Sequence, residues 1–474
     1  MRGHRPQNPL GLTLQWPSPN RTHRQERDVR ATRQSAQSDR RCMWTHVIYS
    51  CCEVSPGKKL KEDSPMMERH EHLSEVDRTR QAVPVDIAIQ DQQPLITQWN
   101  LVCNWAGSAR KNESTLHQLS PYIGKIKSSM AASLVSQFTT EGDLVYDPFS
   151  GSGTVALEGW AAGRRVIAND LSPYAALLTR AKLFPYRSLG NALRDLERDS
   201  VEAKELRGDV DLRKVPQWVR QFFHHETLRD IVAWTDVLRR RRRWFLLACL
   251  LGILHHQRPG FLSFPSSHTV PYLRVKKFPS LRFPELYEYR SLHDRLEAKV
   301  RRAFRRMPEL DFSASRACFS QDAGALVPYE RVDAIITSPP YMRLLDYGRD
   351  NRLRLWFLGT RDWRSLDRII TPGENKFLEL MRRCFTKWKT VLKPYHCCVL
   401  VVGDAYSRTV GGNLPQAVSR IATEEIGGYS QVLEYTETIP KERRVRRGII
   451  GSASETVVVL RNTPNSTGSR RAVS

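Results

Sequence analysis

The chain has no stretch approaching the ~18–20 uninterrupted apolar residues that a membrane span requires. Its most apolar run, Trp244–Leu254, is short and is bracketed by Arg239–Arg243 and His255–Arg258. Arginines near the N-terminus are not followed by an apolar signal core, so nothing there reads as secretory, and a cytoplasmic protein is expected. No two of the nine cysteines stand in CxxC spacing, which removes the usual zinc patterns. Reduced thiols are expected, with no disulfide framework and no metal. Cys397 and Cys398 fall inside an apolar strand-like run and read as small core residues. Acid is also scarce: 50 Asp and Glu face 74 Lys and Arg, giving a formal net charge of +24. A polyanionic partner suits that balance, because each cation placed on a phosphate releases condensed counterions. Ribosomal and membrane-surface proteins are also basic, so charge alone decides nothing.

What is present falls into blocks. Residues 1–92 are rich in Arg, Gln, Ser, Asp and Pro without periodicity, the composition of a disordered leader. Such a leader is either a basic arm that touches nucleic acid or a dispensable extension upstream of a start at Met66 or Met67. The scatter of its arginines favours the second. Residues 93–184 turn globular. Residues 185–312 are dominated by helical patterns (Gln217–Arg243, Trp244–Leu254, Leu292–Arg306) around a Pro- and aromatic-rich loop, Pro259–Tyr289. Sheet-like sequence returns in 313–462 at Ala317–Gln321, Val332–Thr337, His396–Val402, Gln431–Tyr435 and Glu455–Leu460, before a polar tail at 463–474. No internal repeat is present.

The most informative local order begins after a helical pattern at Ser128–Phe138. A buried strand over Asp143–Phe149 runs into a glycine-rich turn, and a helix over Thr154–Ala162 follows. A second strand, Arg165–Asp170, then ends in an acid. That is the opening of a doubly wound parallel sheet. In Asp147-Pro148-Phe149-Ser150-Gly151-Ser152-Gly153-Thr154, Gly151 and Gly153 admit a ligand against the backbone. The helix N-terminus behind them offers free N–H groups to a carboxylate. No G-K-[ST] follows, so this is not a phosphate loop. Asp170 stands where a carboxylate accepts both hydroxyls of a ribose. By spacing alone, a plain strand–helix turn of another nucleotide-binding fold fits equally well.

A second motif separates those readings. Thr337-Ser338-Pro339-Pro340-Tyr341 follows the apolar strand Val332–Thr337. Two prolines remove two donors and stiffen the turn, leaving its carbonyls free. A hydroxyl at Ser338, those carbonyls and the ring of Tyr341 suit a flipped-out base whose amino group donates hydrogen bonds.

Together the two motifs resemble the amino-group-specific DNA methyltransferases, which make N4-methylcytosine and N6-methyladenine. The family pattern D-P-F-x-G-S-G-T is matched at Asp147–Thr154, and [DNS]-P-P-[YF] at Ser338–Tyr341. His117–Lys125 resembles the element that precedes the glycine loop and helps hold the methionine part of S-adenosylmethionine. Asp322, after a strand, resembles the acid that meets the adenine amino group. Val402-Gly403-Asp404 resembles the end of a sheet strand where a subset has Gly-Asn-Ser, with Asp404 and Ala405 departing from it.

The resemblance implies a Rossmann-like, seven-stranded α/β methyltransferase sheet whose last strand is antiparallel. Residues 93–184 would form its cofactor-binding half, 313–462 its catalytic half, and 185–312 a helical insertion for target recognition. It further implies S-adenosyl-L-methionine as cofactor, held by Lys125, Asp147, Pro148, Phe149, Gly151, Ser152, Gly153, Thr154, Asp170 and Asp322. Catalysis would fall to Ser338, Pro339, Pro340 and Tyr341, without a cysteine nucleophile. The partner would be double-stranded DNA with the target base flipped out, alongside a cognate restriction enzyme. Arg258, Lys276, Lys277, Arg443, Arg444 and Arg446 are the expected phosphate contacts, within basic clusters that include Arg239–Arg243 and Arg301–Arg306. Asp346 and Tyr347 either line the base pocket or begin a helix over Asp350–Gly359. Ser338 at the head of its motif favours cytosine N4 over adenine N6. An RNA base methyltransferase and a silent nucleic-acid-binding module are the competing readings.

Overall fold

The apolar runs become the strands of one sheet in the computed structural model, which describes residues 101, 105, 113–268, 270–340, 345–371, 373–409, 411–439 and 453–463. The expected leader, Tyr341 and the segment carrying Arg443, Arg444 and Arg446 lie outside the described residues. The strands are β1 (Leu144–Asp147), β2 (Arg165–Asn169), β3 (Arg316–Phe319), β4 (Val332–Thr337), β5 (Leu392–Gly403), β6 (Tyr429–Thr438) and β7 (Ser454–Asn462). Their order across the sheet is β3-β2-β1-β4-β5-β7-β6. The first five are parallel. The last, β7, runs antiparallel between β5 and β6. This is the expected Rossmann-like methyltransferase sheet, reversing its strand order at β1 and β4, where such sheets bind ligands.

Helices cover both faces. Those named below are α1 (Ser128–Phe138), α2 (Thr154–Ala161), α3 (Pro173–Leu183), α4 (Leu189–Arg207), α5 (His225–Arg240), α6 (Trp244–Gly252), α7 (Leu292–Ala303), α8 (Trp363–Ile370), α9 (Glu374–Val391) and α10 (Leu414–Arg420). Alternation along the strands sorts the core. Val145, Ala334, Ile336, Val399 and Val457 pack with Met130 and Leu134 of α1. The intervening Tyr146, Ile335, Cys398, Leu400 and Val458 pack with Phe377, Phe385 and Trp388 of α9 and with Val418 of α10. No helix among the described residues is long and apolar enough to cross a membrane. The apolar run at Trp244 is instead α6, whose side chains from Phe245 to Leu251 are all buried, the pattern of a helix enclosed on every side.

The helices between β2 and β3 share one apolar cluster with α2 and α3, joining Trp160 and Leu178 to Ile231, Phe245 and Val300. Several strand and helix ends shift by a few residues from the sequence reading, and three boundaries differ for identifiable reasons. Gln217–Arg243 is a helical turn, Gln217–Arg220, followed by α5. The chain turns there to bury Phe222 and Phe223, and the His224 ring caps the new helix by accepting from Glu226 N at 3.3 Å. Asp350–Gly359 divides into Tyr347–Asp350 and Arg352–Phe357 around Asn351. The β5 strand begins earlier than its apolar run because Leu392 pairs with Val332.

Part of the expected basic character of the insertion is neutralised internally. Arg240 pairs with Glu202 and Asp236. Arg241 pairs with Asp199 and Glu202, and Arg243 with Asp195 and Asp199. These three arginines clamp α5 to α4 rather than presenting an open cationic face. Arg301 is likewise paired, with Glu297 one turn back.

Candidate active site

Both motifs emerge at the C-terminal ends of adjacent parallel strands, β1 and β4. One cleft is lined by Lys125, Asp147, Pro148, Phe149, Gly151, Ser152, Thr154, Asp170, Asp322, Ser338 and Pro340. Eleven of the expected site residues are therefore brought together. Gly153 and Pro339 complete the two turns without lining the cleft.

The glycine turn is fixed by short backbone contacts. Gly153 N donates to Ser150 O at 2.7 Å, and Ser150 N to Asn169 O at 2.9 Å. Gly153 adopts φ +73 at the head of α2, and a Cβ there would meet Thr179 Cα at 2.9 Å. A side chain is excluded both by backbone conformation and by the close passage of α3. At Gly151 (φ +52) a Cβ would face the Tyr122 ring at 3.3 Å. Asp170 closes the loop by accepting from Gly151 N and from Ser172 N, each at 2.8 Å.

The two motifs are bonded to each other. Thr337, fully buried, donates to Asp147 Oδ1 at 2.7 Å and accepts from Phe149 N at 3.1 Å. The next residue, Ser338, gives its hydroxyl proton to Val401 O on β5 at 2.9 Å. With that proton committed, the hydroxyl meets anything in the cleft through its lone pairs, as an acceptor.

Electrostatically the cleft is unusual. Burial pushes the Asp147 carboxyl up to about 7, opposed by the Thr337 hydrogen bond and reinforced by the nearby charge of Asp170. Burial likewise raises Asp170 to about 6, against the two backbone N–H groups that favour its ionised form. Neither carboxylate has an ion-pair partner among the described residues. The buried Asp147 and half-buried Asp170, without a cation and beside a helix N-terminus and a backbone cradle, fit a ligand carrying positive charge, ribose hydroxyls and a carboxylate. S-adenosylmethionine carries all three.

Behind the loop lies a buried polar chain. His117 Nε2 and Glu158 Oε1 are 2.5 Å apart, and Lys182 Nζ is 3.4 Å from His117 Nδ1. Lys125 donates to His117 O at 3.2 Å, which places its stem along the cleft. Asp322 is half exposed and paired with Arg383 at 2.7 Å, while its other oxygen accepts from Gly324 N. Tyr347 lines the cleft and stacks on Tyr122, ring centroids 6.2 Å apart. Asp346 is not among the lining residues and pairs with Arg349 at 2.7 Å.

Sequence reasoning passed over Asn169. Its fully buried amide donates to Pro148 O and Gln321 O and accepts from Gln321 N, tying the ends of β1, β2 and β3 together. The only available signal was an amide at the end of an apolar strand, one residue before the acid. Ile369, Ile370 and Leu380, also at the cleft, carried no signal beyond apolarity.

Of the expected phosphate contacts, Arg258, Lys276 and Lys277 are exposed. Their loop reaches the cleft region: Val270 packs against Ile123 and Leu345, and Arg352 holds Pro271 O.

A family model described as DNA methylase matches residues 30–180, which contain the glycine loop. Type II methyltransferase M.MjaII of Methanocaldococcus jannaschii is 28% identical over 131 residues, 26% of this chain and 25% of that protein. Type II methyltransferase M.MvaI of Kocuria varians is 24% identical over 275 residues, 51% of this chain and 57% of that one. The chain thus spans between a quarter and three-fifths of the curated relatives it matches. Among solved structures, TrmN from Thermus thermophilus aligns with a TM-score of 0.30 and 12% identity, covering 73% of this chain and 52% of that one. The family match, confined to residues 30–180, and the two relatives make part of the chain similar to DNA methyltransferases.

Proposed function

We propose that the protein methylates an exocyclic amino group of a base in DNA, cytosine N4 rather than adenine N6, with S-adenosylmethionine as donor. The observation that carries this reading is the Thr337 bridge. One hydroxyl holds the glycine loop and the Ser-Pro-Pro turn in fixed register, so that Asp170 and Ser338 address the same cleft.

The cofactor supplies an electrophilic methyl group; the chain's own residues bind and orient. Asp170 would accept the ribose hydroxyls, the N-terminus of α2 would meet the carboxylate, and Asp147 would add negative charge beside the positive centre. Ser338 acts on the base. An exocyclic amine is a poor nucleophile because its lone pair is delocalised into the ring. A hydroxyl that can only accept draws one amine hydrogen to itself, and the carbonyl of Pro339, which stands in the adjoining turn rather than among the cleft-lining residues, would have to reach the other. Both favour a tetrahedral nitrogen with a localised lone pair. Tyr341 would stack on the base. Arg258, Lys276, Lys277, Arg443, Arg444 and Arg446 would contact phosphates, which position a duplex without reading its sequence. Cytosine N4 is favoured by Ser338 at the head of the motif. Both curated relatives are named Type II methyltransferases, so a cognate restriction enzyme is the proposed partner.

Labelled methyl transfer to separate DNA and RNA pools tests the reading. Label should enter DNA with the wild-type chain and be lost with Ser338→Ala, which should still bind cofactor. Label in RNA alone would refute it.

A further inference from the structure

Within the loop that follows the buried α6, the described structure holds out one leucine completely. Leu281 is 99% exposed, against 70% for the next most exposed large apolar side chain, Tyr406. Tyr272, Val275 and Tyr289 of the same stretch are also exposed, each at 49%. A lone exposed leucine is ordinary. The setting of this one is not.

Leu281 sits at the tip of a self-packed knuckle. Arg282 N and Phe283 N both donate to Pro279 O, at 3.1 and 3.0 Å, so Ser280 and Leu281 form the outer side of a tight turn. Phe278 and Phe283 meet edge-on beneath it at 5.6 Å. Tyr287 locks the base by donating to Phe278 O at 2.5 Å. The two phenylalanines fill the inside of the turn, and Pro279 and Pro284 restrict its backbone. Leu281 therefore has no place to fold back into.

Cations surround it. Lys277 lies over the Phe278 ring and Arg282 over the Phe283 ring, each at 5.6 Å. Lys276, Lys277 and Arg282 have no ion pair among the described residues. From Tyr272 to Tyr289 there are four cations, Arg274, Lys276, Lys277 and Arg282, against Glu285 and Glu288.

We propose that this knuckle is a duplex-DNA wedge: Lys276, Lys277 and Arg282 would engage phosphates while Leu281 inserts between base pairs. An apolar side chain on a stiff support, flanked by cations, suits partial unstacking of a duplex, and extracting a base requires such unstacking. The inference rests on the proposed DNA substrate and names the element that opens it.

The full chain is tested on relaxed closed-circular plasmid with a topoisomerase, which records unwinding as a change in linking number. Wild type should unwind the plasmid, and Leu281→Ala should unwind it less than about half as much at equal bound protein. Leu281→Met should restore unwinding. An exposed side chain leaves the thermal midpoint and cofactor affinity as internal controls, both unchanged. Equal unwinding by Leu281→Ala, or none by wild type, overturns the wedge. Labelled methyl transfer to the same plasmid is measured in parallel. Methylation without unwinding would sink the wedge alone, whereas unwinding without methylation would sink the proposed function alone.

Discussion

Single residues carry most of the site's chemistry, and three of them give sharp expectations. Asp170→Ala removes the proposed ribose acceptor together with the group that holds Gly151 N and Ser172 N. Hydrogen bonds to a charged group contribute roughly 1.5–3 kcal/mol each, so calorimetry should show cofactor binding weakened by about tenfold or more. Thr337→Val keeps the shape of the side chain but leaves Asp147 and Phe149 N without their partner. Denaturant unfolding should report a loss of about 1–3 kcal/mol, and turnover should fall more than cofactor affinity, with Thr337→Ser recovering both. The pH dependence follows from Asp147 and Asp170, whose carboxyls are raised to about 7 and about 6. A raised acid stabilises the fold below its unfolded value and loses that contribution as pH rises through the folded value. The ligand-free protein should therefore become less stable between about pH 4 and 7 through these groups. Binding a cationic cofactor favours their ionised forms, so affinity should rise over the same interval, with protons released into the buffer. Affinity that falls with rising pH would contradict the assignment of both acids.

At the scale of elements, the glycine turn and the strand ends were legible because their constraints are local. A strand that must end, a backbone that must pass close to α3 and a ribose-length spacing to Asp170 all leave marks in a few consecutive residues. The break between Gln217–Arg220 and α5 was not legible. Phe222 and Phe223 preserve the apolar rhythm while the backbone turns, and a histidine cap lies outside the usual capping residues. The internal pairing of Arg240, Arg241 and Arg243 was hidden for a different reason. Apart from Asp236, which is one turn from Arg240, their acids stand on α4, some forty residues earlier, and only the packing of α4 against α5 brings them together. Asn169 and Thr337 were passed over because their partners lie on other strands. The same packing yields a prediction. Removing residues 189–303 would strip α5, α6 and α7 from the cluster that holds Trp160 and Leu178. The remainder should fail to show a cooperative unfolding transition, whereas a separable insertion would leave one intact.

Across the whole molecule, the net charge of +24 already excludes cations matched by acids, as Arg240, Arg241 and Arg243 are, so what a duplex feels depends on where the unpaired cations sit. The exposed, unpaired cations of the knuckle loop should dominate. Replacing Arg258, Lys276 and Lys277 together by alanine should weaken DNA binding uniformly across sequences. The slope of log affinity against log salt should drop by about 2–3, near 0.9 for each phosphate no longer neutralised. An unchanged slope would move the duplex to another face. Cofactor site, Ser-Pro-Pro turn and basic loop converge on one claim about the product, which a single measurement addresses. DNA incubated with the full chain and S-adenosylmethionine is digested to nucleosides and analysed by mass spectrometry. The account predicts N4-methylcytosine. N6-methyladenine alone would contradict the choice of base, and unmodified DNA beside methylated RNA would contradict the function itself.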